Sequence, residues 1–342
     1  MVAAAQRQLR QAGDNMNMLV DRFGREHTYL RISVTDRCNL RCVYCMPAEG
    51  INVKPKAEIL TFEEIYRIAL VFAEMGINKV RVTGGEPLVR KDLEVLIGKL
   101  AAIPALKTVA MTTNGVLLKG KCQLLKDAGL SALNISLDTL RSERFRELTL
   151  RDNWDEVVSA IDEAIATRFK SLKVNVVVMR NRNEDEIMDF VQRYKDAPVN
   201  VRFIEYMPFK DNRWALEDVF SFQQMKARIE EFFDLEPLPA HHGDVAKDFA
   251  IRGHEGTVSF ITSMTDSFCG TCNRLRILAD GSVKSCLFSN PEINLRDPLR
   301  AGATDRQLAD MIKFAVQQKP EAHPPVEELA AVDNRAMVEI GG

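Results

Sequence analysis

The stretch Leu30-Arg31-Ile32-Ser33-Val34-Thr35-Asp36-Arg37-Cys38-Asn39-Leu40-Arg41-Cys42-Val43-Tyr44-Cys45 decides the fold. Its first part, Leu30 to Thr35, is short and β-branched and reads as a strand; its second part is a loop with three cysteines spaced CxxxCxxC. Similar runs recur at Lys79 to Thr83, Lys107 to Thr112, Leu133 to Leu137, Leu172 to Met179 and Val199 to Ile204. Helical patterns lie between them. The clearest begins at Thr61 with Glu64 as a capping box, places Ile65, Ile68, Ala69, Phe72 and Met75 on one face, and stops at Gly76. Another sets Ile187, Phe190, Val191 and Tyr194 at helical spacing after an acidic first turn.

About six βα units in series predict a parallel sheet with right-handed crossovers, either open and doubly wound or barrel-like. In both arrangements the ligand site lies at the carboxyl ends of the strands. Cys38 follows the first strand, Gly84-Gly85-Glu86-Pro87 the second, Thr112-Thr113-Asn114-Gly115 the third; Ser136 and Asp138 end the fourth, and Glu205 to Pro208 follow the sixth. Beyond about residue 215 the alternation fades. Pro237, Pro239 and His241-His242-Gly243 read as a linker into a smaller unit that holds a second cysteine group.

The chain has 342 residues, 46% of them apolar and 27% charged, which excludes both a mini-protein and global disorder. With 46 Lys+Arg against 48 Asp+Glu the net charge is −2, so no bulk field recruits nucleic acid or an anionic membrane. A polyanion must be met by a local cluster. No apolar run approaches the roughly 18 residues that cross a bilayer. The first residues lack a signal-peptide core, so a cytoplasmic location is expected; Arg7 and Arg10 without an acid keep the mitochondrial matrix as the alternative.

Seven cysteines are too few for a disulfide scaffold and fall into two triplets, Cys38/Cys42/Cys45 and Cys269/Cys272/Cys286, plus Cys122. Three thiolates on one compact loop suit a four-iron cluster with one iron left open. Zinc would want a fourth Cys or His nearby, and none follows the first triplet. The second triplet repeats the open-site logic, with Arg274 and Arg276 alternating on a strand after it; a zinc knuckle is the competing reading there. Cys122 sits in a helical stretch and reads as a small buried hydrophobe.

CxxxCxxC with an aromatic before the last cysteine, together with Gly84-Gly85-Glu86-Pro87, resembles the radical S-adenosylmethionine superfamily. Paired glycines let backbone approach the methionine end of the cofactor closely, and Glu86 either orients the turn or receives the amino group. The ordered segments RISVTDRCNLRCVYCMP, RVTGGEPLVRKD, MTTNG, SLD and FCGTCNRLRILADGSVKSCLF, with Gly341-Gly342 at the end, resemble more narrowly the GTP 3′,8-cyclase family from about Leu19 onward. That likeness implies an α/β fold: a partial (βα)6 TIM-like barrel with a small C-terminal iron-sulfur domain. It divides the chain into an extension (1–18), the barrel (19–215) and a region for the auxiliary cluster and GTP (216–342).

The resemblance implies a lyase of molybdenum cofactor biosynthesis, using S-adenosylmethionine and two [4Fe-4S] clusters. An electron from an external donor would release a 5′-deoxyadenosyl radical, which takes the ribose 3′ hydrogen of GTP; the carbon radical then adds to guanine C8. The product, 3′,8-cyclo-7,8-dihydro-GTP, would pass to a cyclic pyranopterin monophosphate synthase. Cys38, Cys42 and Cys45 would hold the first cluster, and Cys269, Cys272 and Cys286 the second. Tyr44, Gly85, Ser136 and Met207 would line the S-adenosylmethionine site, and Arg31, Arg81, Thr112, Lys173, Arg202, Arg274 and Arg276 would hold GTP. Arg31, Gly341 and Gly342 would serve catalysis, the twin glycines reaching back to the site. A homodimer is expected, with no nucleic-acid or membrane partner. The alternatives are another radical S-adenosylmethionine enzyme with an auxiliary cluster, such as a peptide maturase, or a metal-cluster binding module.

Overall fold

The computed structural model describes residues 18–240, 243–289, 292–332 and 334–341. Expectations for the segment 1–17, for His241 and His242 and for Gly342 lie outside the described residues. The six expected strands form within a residue or two of their predicted bounds: β1 Tyr29–Ser33, β2 Lys79–Thr83, β3 Thr108–Thr113, β4 Ala132–Ser136, β5 Ser171–Val178 and β6 Asn200–Glu205. They pair in parallel in chain order, the pattern of a partial (βα)6 barrel. Strand β5 shows why side chains reach the interior in alternation: Leu172, Val174, Val176 and Val178 are buried against helices, and Ser171, Lys173, Asn175 and Val177 face the other way.

Helices cover the outer face. α1 (Phe62–Glu74) starts at a complete capping box, in which Thr61 Oγ1 accepts from the Glu64 amide at 3.2 Å and Glu64 Oε2 from the Thr61 amide at 2.8 Å. Such caps contribute about 1 kcal/mol. Ile65, Ile68, Ala69 and Phe72 are buried, and Gly76, at φ +100°, turns the chain just past the helix. α2 (Leu93–Ala101), α3 (Cys122–Asp127), α4 (Ser142–Thr149), α5 (Trp154–Thr167) and α6 (Ile187–Tyr194) continue the layer. Cys122 is fully buried in that core.

After β6 and α7 (Phe222–Glu230), Pro237, expected in a linker, instead ends β7 (Leu235–Pro237), an edge strand opposite β8 (Ala246–Ile251), where a residue without an amide is tolerated. β9 (Thr257–Ile261) runs parallel to β6, and β10 (Arg274–Ile277) runs parallel to β1, followed by β11 (Ser282–Lys284) and β12 (Glu292–Asn294). One sheet therefore continues from the barrel into the C-terminal region at both edges, in the order β12-β11-β10-β1-β2-β3-β4-β5-β6-β9-β8-β7. β9 ends level with the carboxyl end of β6, whereas β10 starts level with the start of β1. Residues 262–273, which include Cys269 and Cys272, must therefore travel from one end of the barrel to the other.

The loop after β2 presses onto the loop after β1. The amides of Gly85 and Glu86 donate to the carbonyls of Thr35 and Arg37 at 2.7 and 2.8 Å. A Cβ on Gly85 would stand 2.4 Å from the Arg37 carbonyl oxygen, a backbone atom that cannot swing aside. Glycine here lets the two loops meet. Glu86, fully buried, accepts from the Leu88 and Asn114 amides and from Thr113 Oγ1 at 2.9, 2.7 and 2.8 Å, so of its two expected roles it orients the turn. Gly85→Ala is expected to cost about 1–3 kcal/mol by overpacking, measured by urea denaturation. Gly98→Ala, in α2 with its nearest neighbour at 3.8 Å, should be neutral or stabilising by about 0.5–1 kcal/mol and serves as the control.

Candidate active site

A cavity of about 710 Å³ runs through the barrel, within the range of small-molecule sites. Cys38, Cys42 and Cys45 line its carboxyl end, on a loop that the Arg41 and Val43 amides fasten to the carbonyls of Thr149 and Leu148, both at 2.9 Å. The side chains are half-buried. Burial pushes the Cys38 thiol up to about 11, with the Glu86 charge adding to it. Burial and the neighbouring sulfurs push Cys42 and Cys45 higher still. Such thiols ionise only when something replaces the proton, as a metal does. Beside them Tyr44 Oη donates to Asp138 Oδ2 at 2.8 Å, and burial lifts Asp138 to about 6.

Cys269, Cys272 and Cys286 line the same cavity at its amino end. The register explains their meeting. Cys272 lies two residues before β10, and β11 runs antiparallel to β10, with Lys284 opposite Arg276, so Cys286 returns to the level of Arg274, two residues from Cys272. Their surroundings are cationic. Burial works to raise the Cys272 thiol, but Arg274 and Lys319 outweigh it and pull it down to about 6. Among the described residues no three His, Cys, Asp or Glu side chains gather as the ligands of a single ion would.

Between the triplets lies a concentration of positive charge set by strand register. Arg276, Arg31 and Arg81 are directly opposite one another on β10, β1 and β2, and one pleat nearer the amino end come Arg274, Tyr29 and Lys79. Like charges placed opposite each other across a sheet repel. Burial, followed by Tyr29 in opposition and by the repulsion of Arg81 and Arg274, brings Arg31 down to about 10; burial and the fields of Arg31 and Arg274 lower Arg276. Burial and Arg202 lower Lys173 to about 7, although Asp248 opposes them. Arg81 is the anchored member: Nε donates to Tyr29 Oη at 2.6 Å, and Nη1 to the Met111 carbonyl at 2.9 Å and to Thr112 Oγ1 at 3.2 Å. By contrast, Nε of Arg31, Arg274 and Arg276 is buried without any hydrogen-bond partner. Orphaned guanidinium donors in a shared cavity call for an anion.

Every expected cluster, S-adenosylmethionine and GTP residue lines this cavity, among them Gly85, Ser136, Met207, Thr112 and Arg202. They do not all sit at the carboxyl mouth, as the sequence suggested: the second triplet and Arg274 lie at the opposite end, because β10 enters the sheet beside the start of β1. Gly341 reaches the wall between Ser33 and Thr83, its φ is +84°, and its carbonyl accepts from Arg31 Nη2 at 3.5 Å. Sequence reasoning missed Tyr29, Lys79, Asn134, Asn175 and Lys319, which also line the cavity. The signal for the first four was a polar residue on every second position of strands that are buried on both faces.

Comparison with known proteins agrees with this geometry. The Radical SAM superfamily model matches residues 32–194 and Molybdenum Cofactor Synthesis C matches residues 199–325. "GTP 3′,8-cyclase, mitochondrial" of Arabidopsis thaliana is 49% identical over 99% of this chain and 87% of its own. The GTP 3′,8-cyclase of Moorella thermoacetica is 45% identical over 94% and 99% respectively. Human molybdenum cofactor biosynthesis protein 1 is 47% identical over 94% of this chain, which spans 50% of that longer protein. Among solved structures, Streptococcus suis SuiB shares the fold, with a TM-score of 0.58, 15% identity, and coverage of 89% of this chain and 77% of that one. The chain thus belongs to the radical S-adenosylmethionine superfamily and, within it, to the GTP 3′,8-cyclase family.

Proposed function

We propose that this chain converts GTP to 3′,8-cyclo-7,8-dihydro-GTP, the first step of molybdenum cofactor biosynthesis. The observation that carries the reading is the in-register row Arg276–Arg31–Arg81, in which Nε of Arg276 and Arg31 is unsatisfied, set between two cysteine triplets at opposite ends of one cavity. Cys38, Cys42 and Cys45 would hold a cluster at the carboxyl end, and the donor set fits: three half-buried thiols on one loop that lines the cavity, which would leave one iron of a four-iron cluster without a protein ligand. When bound, that cluster and S-adenosylmethionine supply the radical chemistry that joins ribose C3′ to guanine C8. Cys269, Cys272 and Cys286 would hold the second cluster against the base.

The remaining work falls to the chain. Arg31, Arg274 and Arg276 bind phosphate oxygens through donors that have no other partner, and the triphosphate offsets a repulsion already built into the sheet. Arg81, held by Tyr29 and Thr112, fixes one position along the polyphosphate. Lys173 and Arg202 face it from β5 and β6. Tyr44, Gly85, Ser136 and Met207 line the end where S-adenosylmethionine meets the first cluster. Enclosure by the barrel and the C-terminal strands keeps water from reactive species. The electron donor and the synthase that consumes the product act from outside, and the proposed assembly is a homodimer.

The direct test is anaerobic. Protein reconstituted with iron and sulfide, then given dithionite and S-adenosylmethionine, should release 5′-deoxyadenosine in a GTP-dependent manner and form an isomer of GTP by mass. Release that ignores GTP would overturn the substrate assignment. Lys173 supplies a pH test. Its amine is held near 7 in the ligand-free protein, so above that pH it is largely neutral, and an arriving triphosphate restores the charge by drawing in a proton. Calorimetry at pH 8 in buffers of different ionisation enthalpy should show GTP binding with proton uptake, with affinity falling as pH rises; Lys173→Met should abolish most of that uptake.

The C-terminal tail gives the third expectation. Asn334 Nδ2 and Arg335 Nη1 tie the tail to the Leu287 carbonyl and to Asp280, both at 3.0 Å, and a Cβ on Gly341 would stand 2.7 Å from Thr83 Oγ1. Deleting Gly341 and Gly342 should abolish cyclisation while iron content stays normal. Unchanged turnover by the truncated chain would remove the tail from the mechanism.

A further inference from the structure

Two buried cations grip the backbone of the second triplet from outside the cavity's anion-facing row. Arg25 is 6% exposed and Lys319 2%. Arg25 Nη1 donates to the carbonyl of Cys269 at 2.8 Å and to that of Glu321 at 2.6 Å, while Nη2 donates to the Pro320 carbonyl at 2.6 Å. Lys319 Nζ donates to the carbonyls of Arg274, at 2.9 Å, and Ser285. These acceptors are Cys269 itself, the second residue after Cys272 and the residue before Cys286. Cys269 is thus held at its own carbonyl, Cys286 beside its own peptide unit, and Cys272 within two residues of the point of attachment. The segment after Gln317 is tied to the same point, because Arg25 spans Cys269 on one side and Pro320 and Glu321 on the other.

The charges themselves need explaining, since neutral amides would satisfy carbonyls equally well and a buried cation is costly unless a negative charge offsets it. For Arg25 the offset is Asp21, whose Oδ2 accepts from Nε at 2.6 Å. For Lys319 both acceptors are neutral, and it lines the same cavity as Cys272 and Cys286, bonded to the carbonyl of the residue next to Cys286. We propose that Arg25 and Lys319 are positioning residues for the second cluster: Arg25 fixes the loop that presents Cys269, and Lys319 is the buried counter-charge of the thiolate-bound iron. This rests on the reading that the second triplet holds a cluster. A fixed cation beside an anionic cluster favours its reduced form, so Lys319 also sets the cluster's potential.

The test uses the full chain with Cys38, Cys42 and Cys45 replaced by alanine, so that the second triplet alone binds iron, and reads iron per chain, its release to a chelator, and the midpoint potential by spectroscopic titration. If this background binds no iron, the cluster reading fails, and the inference with it. If it does bind iron, Lys319→Gln, which keeps a donor and removes the charge, is expected to shift the potential negative, and Lys319→Arg to restore it. Arg25→Gln should release iron roughly tenfold faster, as loss of outer-shell support does. Far-UV circular dichroism of each apo-protein separates these effects from unfolding. Folded Lys319→Gln and Arg25→Gln proteins with wild-type potential and release rate would overturn the proposal while leaving the cluster reading intact.

Discussion

Three guanidinium groups held side by side across β10, β1 and β2 are the constraint on which the rest of the structure depends. In an isolated sheet that register would be unfavourable, since like charges directly opposite one another destabilise pairing. It persists because the strands are fixed by what lies on their other face: Leu30, Ile32, Val80, Val82, Leu275 and Ile277 are essentially inaccessible to solvent. A slip of one residue would bring those apolar side chains into the cavity and the arginines into the core. The hydrophobic layer therefore stores an electrostatic repulsion that only an anion in the cavity relieves. This is binding energy arranged before the ligand arrives.

The same register decides where the two cysteine triplets stand. β10 joins β1 in parallel from its first residue, so the chain must travel the length of the barrel between β9 and β10, and it leaves Cys269 and Cys272 at the end opposite Cys38, Cys42 and Cys45. A ligand lying along the barrel would have one cysteine triplet at each end and the arginine row between them. The C-terminal strands thus do two things at once: they extend the sheet beyond both edges of the six-stranded core, and they supply half of the site.

Local chemistry was legible in the sequence. The capping box at Thr61, the alternation of β5 and the CxxxCxxC loop each announced themselves within about ten residues of chain, because local propensity and spacing determine them. What was not legible depends on contacts distant in sequence. Pro237 reads as a linker because proline and glycine punctuate chains, yet an edge strand tolerates it. The Gly84-Gly85 pair reads as a close approach to the cofactor; the close neighbour in the structure is the Thr35–Arg37 backbone, and the identity of that neighbour is a tertiary fact. Lys319 lies far from any motif, and because isolated lysines are usually exposed nothing in the sequence singles it out.

The buried side chains that fasten the loops differ between the two ends of the barrel: carboxylates at one, and at the other Arg25, paired with Asp21, and Lys319. At the carboxyl end Glu86 and Glu205 accept amide hydrogens from successive loop residues: Leu88 and Asn114 in one case, Phe222, Met264 and Thr265 in the other. Loops there lack a sheet partner for their N–H groups, and a carboxylate can take several at once. At the amino end the needs are reversed. The turns around Cys269, Arg274 and Ser285 present carbonyls, which a guanidinium or ammonium satisfies with several donors. The donor-rich end is thus also the end where Arg274 and Lys319 draw the Cys272 thiol down, so cations there act on the backbone and on a cysteine together. An apolar replacement of Lys319 would have to give up both.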